Sequence, residues 1–147
     1  MWVFLTSVSG ITAICSRNTI DPGVYFYIGC ALWIFGFLFE SISDYQKRKF
    51  KVQNPDSFIN TGLWSLSRHP NYFGEIVLWF GITIIAFPVL QGYQYFSLIS
   101  PIFVFWLLTK VSGIPILERH ADQTWGNQED YKKYKKSTPV LFPKFFK

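Results

Sequence analysis

The sequence predicts an all-α membrane protein, a polytopic bundle of about four transmembrane helices followed by a short helical cytosolic cap. Half of the 147 residues are hydrophobic and only 16% are charged, whereas soluble domains carry about 25% charged residues. The hydrophobic residues gather in four runs, and nearly all basic residues follow the second or the fourth run. No internal repeat or low-complexity linker divides the chain, so residues 1–147 are predicted to form one membrane domain.

The four apolar runs cover residues 2–15, 24–39, 76–90 and 95–109. Each is a few residues shorter than the roughly 20 that a clean membrane span needs, but flanking aromatic and small residues extend each one. We therefore expect four membrane helices. The first run has the length of a signal peptide, but it lacks the basic start and the small-residue cleavage site that such a peptide carries.

The placement of the basic residues predicts the topology. Five lysines and arginines lie between the second and third runs, eight follow the fourth, and only Arg17 falls on the other side. Cytosolic loops of membrane proteins are enriched in positive charge, so the middle loop and the C-terminal tail are predicted to lie in the cytosol. The net charge of +5 suits anionic lipid headgroups or a phosphorylated cofactor, and it does not require a nucleic acid.

Metal and disulfide chemistry are not predicted. Cys15 and Cys30 lie inside apolar runs, and the histidines, His69 and His120, have no cysteine-rich spacing around them. The loops opposite the basic ones, residues 16–23 and 91–94, offer little beyond a turn. Chemistry is therefore expected in the cytosolic loop, the cytosolic tail or the helix ends beside them.

The most polar stretch beside an apolar run is residues 68–75, Arg-His-Pro-Asn-Tyr-Phe-Gly-Glu. It places Arg68, His69, Asn71 and Tyr72 just before the third run. Polar groups at the edge of a membrane segment cost several kcal/mol each unless something pairs with them, so the cluster indicates a site for a charged ligand. The alternative is an interfacial loop, in which Arg68 binds lipid phosphate and Tyr72 belongs to an aromatic belt.

Charged side chains continue directly from the second run, with no helix breaker before residues 54–55. A helix would place Glu40 and Asp44 on one face, and Asp44 has the spacing to pair with Arg48. We interpret the two carboxylates as hydrogen-bond partners for hydroxyl or amide groups of a cofactor. The alternative is a solvated helix end.

The tail contains the third polar cluster. Residues 113–115, Gly-Ile-Pro, are predicted to break the fourth helix. Glu118 and Asp122 then have helical spacing, and Tyr131 and Tyr134 share one face of a second short helix, before an extended segment at 138–143. These features indicate a folded cytosolic cap, and the alternative is an amphipathic helix lying on lipid.

Six segments of the sequence together resemble one membrane-protein family. They are residues 40–50, 62–64, 67–75, 113–118, 125–126 and 131–139. Over nearly its whole length the chain is similar to the steroid 5-alpha-reductase-like integral membrane family, and most similar to its poorly characterised branch. The Arg-His-Pro-x-Tyr core at 68–72 is also shared with isoprenylcysteine carboxyl methyltransferases and phospholipid methyltransferases.

The resemblance implies that the cytosolic cap binds NADPH and that a hydride goes to a C=C bond of a lipid or steroid-like substrate that enters from the membrane. The Asn-Tyr-Phe-Gly-Glu motif after Pro70 resembles the corresponding segment of the reductases. In the methyltransferases the same segment and a glutamate placed like Glu118 approach S-adenosylmethionine, which is the alternative cofactor. The predicted cofactor-binding residues are Glu40, Asp44, Arg48, Arg68, His69, Asn71, Tyr72, Glu118, Tyr131 and Tyr134.

Three expectations complete the prediction. The 2′-phosphate of NADPH is expected to contact Lys47, Arg48 and Lys51. Tyr72 is expected either to donate a proton to an enolate or only to bind the cofactor. Members of the family usually carry further helices before the point at which this chain begins, so we expect a truncated paralogue that is inactive alone, a partial gene model or a fragment. A non-catalytic membrane scaffold is the third interpretation of the function. The expected location is the endoplasmic reticulum membrane of a eukaryote or the inner membrane of a bacterium.

Overall fold

The structure is a computed structural model that describes residues 2–16 and 23–145, and it confirms the all-α prediction. Within these ranges the chain forms helices and no strand. The α-helices are α1 (Trp2–Cys15), α2 (Val24–Gln53), α3 (Pro70–Ala86), α4 (Ile99–Trp106), α5 (Ile114–Trp125) and α6 (Glu129–Ser137). Short 3-10 segments occupy Gly62–Ser65, Phe87–Val89 and Gly92–Leu98, and a π-helical turn occupies Leu107–Val111.

Three helical stretches are long and apolar enough to cross a membrane, namely Val24–Gln53, Pro70–Val89 and Gly92–Trp125. They indicate a multi-pass membrane protein, in agreement with the predicted class. The first apolar run also forms a helix, but its 14 residues measure about 21 Å at 1.5 Å per residue, less than the roughly 30 Å of a hydrocarbon core. The long stretches are therefore three, where the sequence predicted about four.

The boundaries of α2 and α3 decide where the polar motifs lie. Helix α2 continues without interruption to Gln53, as predicted. Helix α3 begins at Pro70, six residues before its apolar run, because proline is well suited to a first helical position, where its missing N–H costs nothing. Asn71 and Tyr72 therefore belong to the first turn of a helix and not to the loop that precedes it.

The described residues divide into two compact units. The membrane unit comprises the described residues up to Phe37 together with Glu75–Leu107, and the polar unit comprises Leu38–Gly74 and the described residues from Leu108 onward. Within the membrane unit, α2 and α3 approach so closely that a Cβ on Gly81 would lie 2.7 Å from the carbonyl oxygen of Gly29. Large apolar side chains such as Ile34 and Phe35 remain exposed, which suits contact with lipid.

The polar unit is built around the turn at Gly62–Ser65, which is attached to the second half of α2. The indole Nε1 of Trp64 donates to the backbone oxygen of the buried Ser43 over 3.0 Å. The Gln46 side-chain oxygen accepts from the Leu63 amide over 2.9 Å. Gly62 has a φ of +61°, a conformation that residues with a Cβ rarely adopt.

The extended segment after α6 packs back along the residues that precede α3. The Arg68 amide donates to Pro139 O over 2.9 Å, and the Lys144 amide donates to Leu66 O over 3.0 Å. The fully buried Ser67 hydroxyl donates to Leu141 O over 2.8 Å. These bonds hold residues 66–68 against the tail, so the middle loop and the tail form parts of one unit.

Candidate functional site

The centre of the polar unit is a buried charge cluster around one carboxylate. Glu118, in the second turn of α5, places Oε2 2.7 Å from Arg68 Nη1 and Oε1 2.9 Å from His69 Nε2. Lys135, on α6, lies 3.6 Å from the same carboxylate. Only 10% of the Arg68 side chain and 19% of the Glu118 side chain are exposed, so the three residues support one another away from solvent.

Several polar atoms beside this cluster have no hydrogen-bond partner among the described residues. They are Arg68 Nε, His69 Nδ1 and Asn71 Oδ1, and all three are buried. Leaving a buried polar group unpaired costs about 1–3 kcal/mol. The guanidinium and the imidazole are therefore the groups of this cluster that are best placed to hold a ligand.

Aromatic side chains pack next to the charge cluster, with Phe58 at their centre. The Phe58 ring centroid lies 5.3 Å from that of Tyr131, 5.5 Å from that of Tyr134 and 6.1 Å from that of Trp125. The Tyr131 hydroxyl donates to Asp122 Oδ1 and the Tyr134 hydroxyl donates to Trp64 O. Burial raises the pKa of both phenols, so both are neutral at physiological pH.

Two lysines one helical turn apart on α2 lie over tryptophan rings of the polar unit. Lys47 Nζ is 5.1 Å from the ring centroid of Trp64, and Lys51 Nζ is 5.0 Å from that of Trp125. Ammonium groups at such distances are attracted by the aromatic ring. The spacing of four residues places both ammonium groups on the same face of α2.

These groups surround a cavity of about 210 Å³. Its lining includes the charge cluster of Arg68, His69 and Glu118, the aromatic group, and the two lysines of α2. Pockets for drug-sized ligands measure about 300–1,000 Å³, and a dinucleotide is larger than such a ligand. The cavity therefore has room for a part of a larger cofactor and not for a whole dinucleotide.

A comparison with known families places the chain. Residues 1–138 match the model of a family described as protein of unknown function (DUF1295). The chain belongs to this family. No curated protein and no solved structure matches it significantly. The matched range contains every residue of the cavity lining.

In this DUF1295 protein the cavity lining includes half of the predicted cofactor-binding residues. Those residues are Arg68, His69, Glu118, Tyr131 and Tyr134. The other predicted residues, Glu40, Asp44, Arg48, Asn71 and Tyr72, lie outside the lining.

The residues outside the lining differ in how close they come to it. The Tyr72 ring stacks on His69 with centroids 5.7 Å apart, so it contacts a lining residue. Asp44 and Arg48 form no ion pair with each other, although their spacing allowed one, and Arg48 is exposed on α2. An exposed pair of this kind contributes little even when it forms.

Three aromatic residues that line the cavity, Phe58, Trp64 and Trp125, were not predicted from the sequence. Trp64 and Trp125 lie in segments that carried the family resemblance, but no binding role was predicted for them, and Phe58 lies in an irregular stretch without periodicity. The lysines were expected to bind phosphate, and the spacing of Lys47 and Lys51 was the signal that separates them from the neighbouring Lys49. Lys49 is exposed and absent from the lining.

Proposed function

We propose that this protein is a membrane-embedded reductase that binds NADPH and reduces a C=C bond in a lipid or steroid-like substrate. The observation that carries the proposal is the aromatic cavity with two lysines over its rings and a buried arginine beside it. The resemblance of residues 67–75 to the reductases supports the same cofactor. NADPH would supply the hydride, and the protein would supply binding, orientation and exclusion of water.

The charge of the lining favours a phosphorylated ligand. Three cationic side chains, Lys47, Lys51 and Arg68, line the cavity with a single carboxylate, Glu118. Glu118 already pairs with Arg68, whereas the two lysines line the cavity and form no ion pair with a described carboxylate. An arginine presents a planar set of donors that matches phosphate oxygens, whereas a lysine acts as a point charge.

The aromatic group would hold a planar part of the cofactor. Phe58, Trp125 and Tyr131 offer ring faces and edges within one small cavity, and a nicotinamide or an adenine ring stacks well on such surfaces. The ion pair with Glu118 holds the guanidinium of Arg68 in position, and the contact with His69 fixes the orientation of the imidazole. Both side chains would then be arranged before the cofactor arrives, which lowers the entropic cost of binding.

A methyltransferase that uses S-adenosylmethionine is the second candidate. It is favoured by the same ring of aromatic side chains, because a sulfonium cation is attracted by aromatic faces. The two lysines oppose it, because their positive charge would repel a sulfonium group. NADPH is therefore the stronger proposal.

Thermal unfolding of the purified protein in neutral detergent tests the proposal. NADPH at about 100 times its dissociation constant should stabilise the protein by about 2.7 kcal/mol, which corresponds to roughly 5–10 °C for a chain of this length. NADH should require about tenfold higher concentration, equivalent to about 1.4 kcal/mol. The double variant Lys47→Ala/Lys51→Ala should remove this preference, and the matched variant Lys49→Ala should keep it.

The other results of this experiment assign the alternatives. A shift with S-adenosylmethionine and none with NADPH would move the protein to the methyltransferases. The absence of a shift with NADPH, NADH and S-adenosylmethionine in a folded protein would favour a non-catalytic membrane scaffold.

A further inference from the structure

A second cleft in the polar unit collects basic side chains and is separate in chemistry from the aromatic cavity. It measures about 650 Å³ and is lined by Arg68, Lys135, Lys136 and Lys144, with no acidic residue in its lining. The hydroxyl-bearing residues Ser137 and Thr138 and several apolar residues complete it. Four basic side chains without an acid in the lining indicate a site for an anion.

The backbone explains how distant basic residues come together here. Lys135 and Lys136 are in the last turn of α6, and the chain then runs back past Arg68. The amide of Arg68 donates to Pro139 O, and the amide of Lys144 donates to Leu66 O. The two hydrogen bonds attach the tail to the backbone of Leu66 and Arg68, so the cleft is a built feature of the fold.

Only two of the four basic side chains of the cleft form ion pairs with described carboxylates. Arg68 pairs with Glu118, and Lys135 pairs with both Asp122 and Glu118. Lys136 and Lys144 form no ion pair with any described carboxylate, and both are exposed. These two lysines are therefore the cations that are free to bind an external anion.

The surroundings of the cleft suit an amphipathic ligand better than a soluble anion. The Phe142 side chain is 65% exposed and the Val140 side chain is 38% exposed, and both line the cleft. Arg68 lies two residues before Pro70, where a candidate membrane span begins. Basic residues beside apolar ones at the end of a span are typical of contact with lipid headgroups and acyl chains.

We propose that this cleft binds an anionic membrane lipid, with its phosphate on Lys136 and Lys144 and its acyl chains against Val140 and Phe142. The inference does not depend on the proposed reductase activity, because neither lysine lines the aromatic cavity. It assigns a role to the basic tail that a cofactor site leaves unexplained.

A lipid titration tests the inference with the full chain in neutral detergent. Short-chain phosphatidylglycerol is added, with phosphatidylcholine of the same chain length as the neutral lipid, and native mass spectrometry and thermal unfolding follow binding. We expect one phosphatidylglycerol molecule to be retained preferentially and to raise the melting temperature. The variant Lys136→Ala/Lys144→Ala should bind it roughly thirtyfold more weakly. The matched variant Lys49→Ala/Lys133→Ala, which changes two exposed lysines outside this cleft, should bind it like the wild type.

Two outcomes would overturn the inference. Equal losses in the two double variants would mean that the lipid responds to diffuse charge and not to this cleft. Equal stabilisation by glycerol phosphate and by phosphatidylglycerol would mean that the ligand is a soluble phosphate compound. Loss of NADPH binding by Lys47→Ala/Lys51→Ala is a separate result, because those substitutions leave this cleft intact.

Discussion

The membrane unit and the polar unit use different means to hold their helices together. Glu75 is the only charged residue among the described residues of the membrane unit, and that unit packs through glycine contacts and hydroxyl bonds such as Ser9 to Thr83. The ion pairs of Glu118, Asp122 and Glu129 all lie in the polar unit. Lipid tails offer no hydrogen bonds, so a spanning region depends on close packing, whereas an aqueous region can stabilise charge.

The comparison shows where this protein concentrates its buried charge. Burying a charge costs free energy unless the charge is paired. In the polar unit the Glu118 carboxylate pairs with Arg68 and contacts His69. The membrane unit has no comparable group among its described residues apart from Glu75, and its exposed apolar side chains suit lipid. We therefore expect substitutions in the two units to have different kinds of effect.

The largest effect is expected from Glu118→Ala. The substitution would leave the buried Arg68 without its ion partner and His69 without its Glu118 contact, and breaking a buried pair costs about 3–5 kcal/mol. Chemical denaturation in detergent measures the free energy of unfolding. Glu129→Ala is the control, because Glu129 is exposed and pairs only with Lys132, so it should change stability by less than about 1 kcal/mol. Similar losses in the two variants would show that the Glu118 cluster is solvated and that the comparison is wrong.

A second and smaller effect concerns pH. Burial raises the pKa of Tyr131 and Tyr134 in the folded protein above the unfolded value of 10.0. The stability that this shift contributes is fully present below pH 10 and is lost as the pH rises further, at about 1.4 kcal/mol per pH unit for each phenol. The variant Tyr131→Phe/Tyr134→Phe should therefore lose less stability than the wild type between pH 10 and pH 11, by up to about 2 kcal/mol.

Lysines also titrate in this pH range, so the test compares slopes and not absolute stabilities. The variant Tyr45→Phe changes an exposed phenol of the polar unit and serves as the control. It should follow the wild-type slope. Equal slopes in all three proteins would place the two buried phenols in contact with solvent.

The sequence was a good guide to the helices and a partial guide to the site. Apolar runs and breakers are local signals, so α2 was predicted to its last residue before Asn54, and the break near Gly113 was predicted as well. The position of α3 was less well predicted, because polar residues after Pro70 concealed six residues of helix.

The cavity depends on contacts between residues that are far apart in the sequence. Arg68 and Glu118 each belong to a motif that predicts a cofactor-binding role. Their ion pair joins residues fifty positions apart, so it follows from the packing of α5 beside the loop before α3. The predicted pairing of Asp44 with Arg48 shows the opposite limit, because helical spacing permits a contact without requiring it. Phe58 carried no local signal, since a loop aromatic has no period by which to recognise it.

The smallest of these effects is expected in the membrane unit, from Gly81→Ala. A Cβ at this position would lie 2.7 Å from both Gly29 O and Trp33 N. These are backbone atoms, which cannot rotate away, so α2 and α3 would have to separate. Overpacking of this kind costs about 1–3 kcal/mol, and the better helix propensity of alanine offsets about 1 kcal/mol, which leaves a net loss of at most about 2 kcal/mol in thermal unfolding. Gly10→Ala is the control, because its new Cβ would meet only the Ile82 side chain, at 3.2 Å, and that side chain can move. Because the loss arises from helix packing, the response to NADPH should be the same as in the wild type, and a selective loss of that response would show that the two units do not act independently.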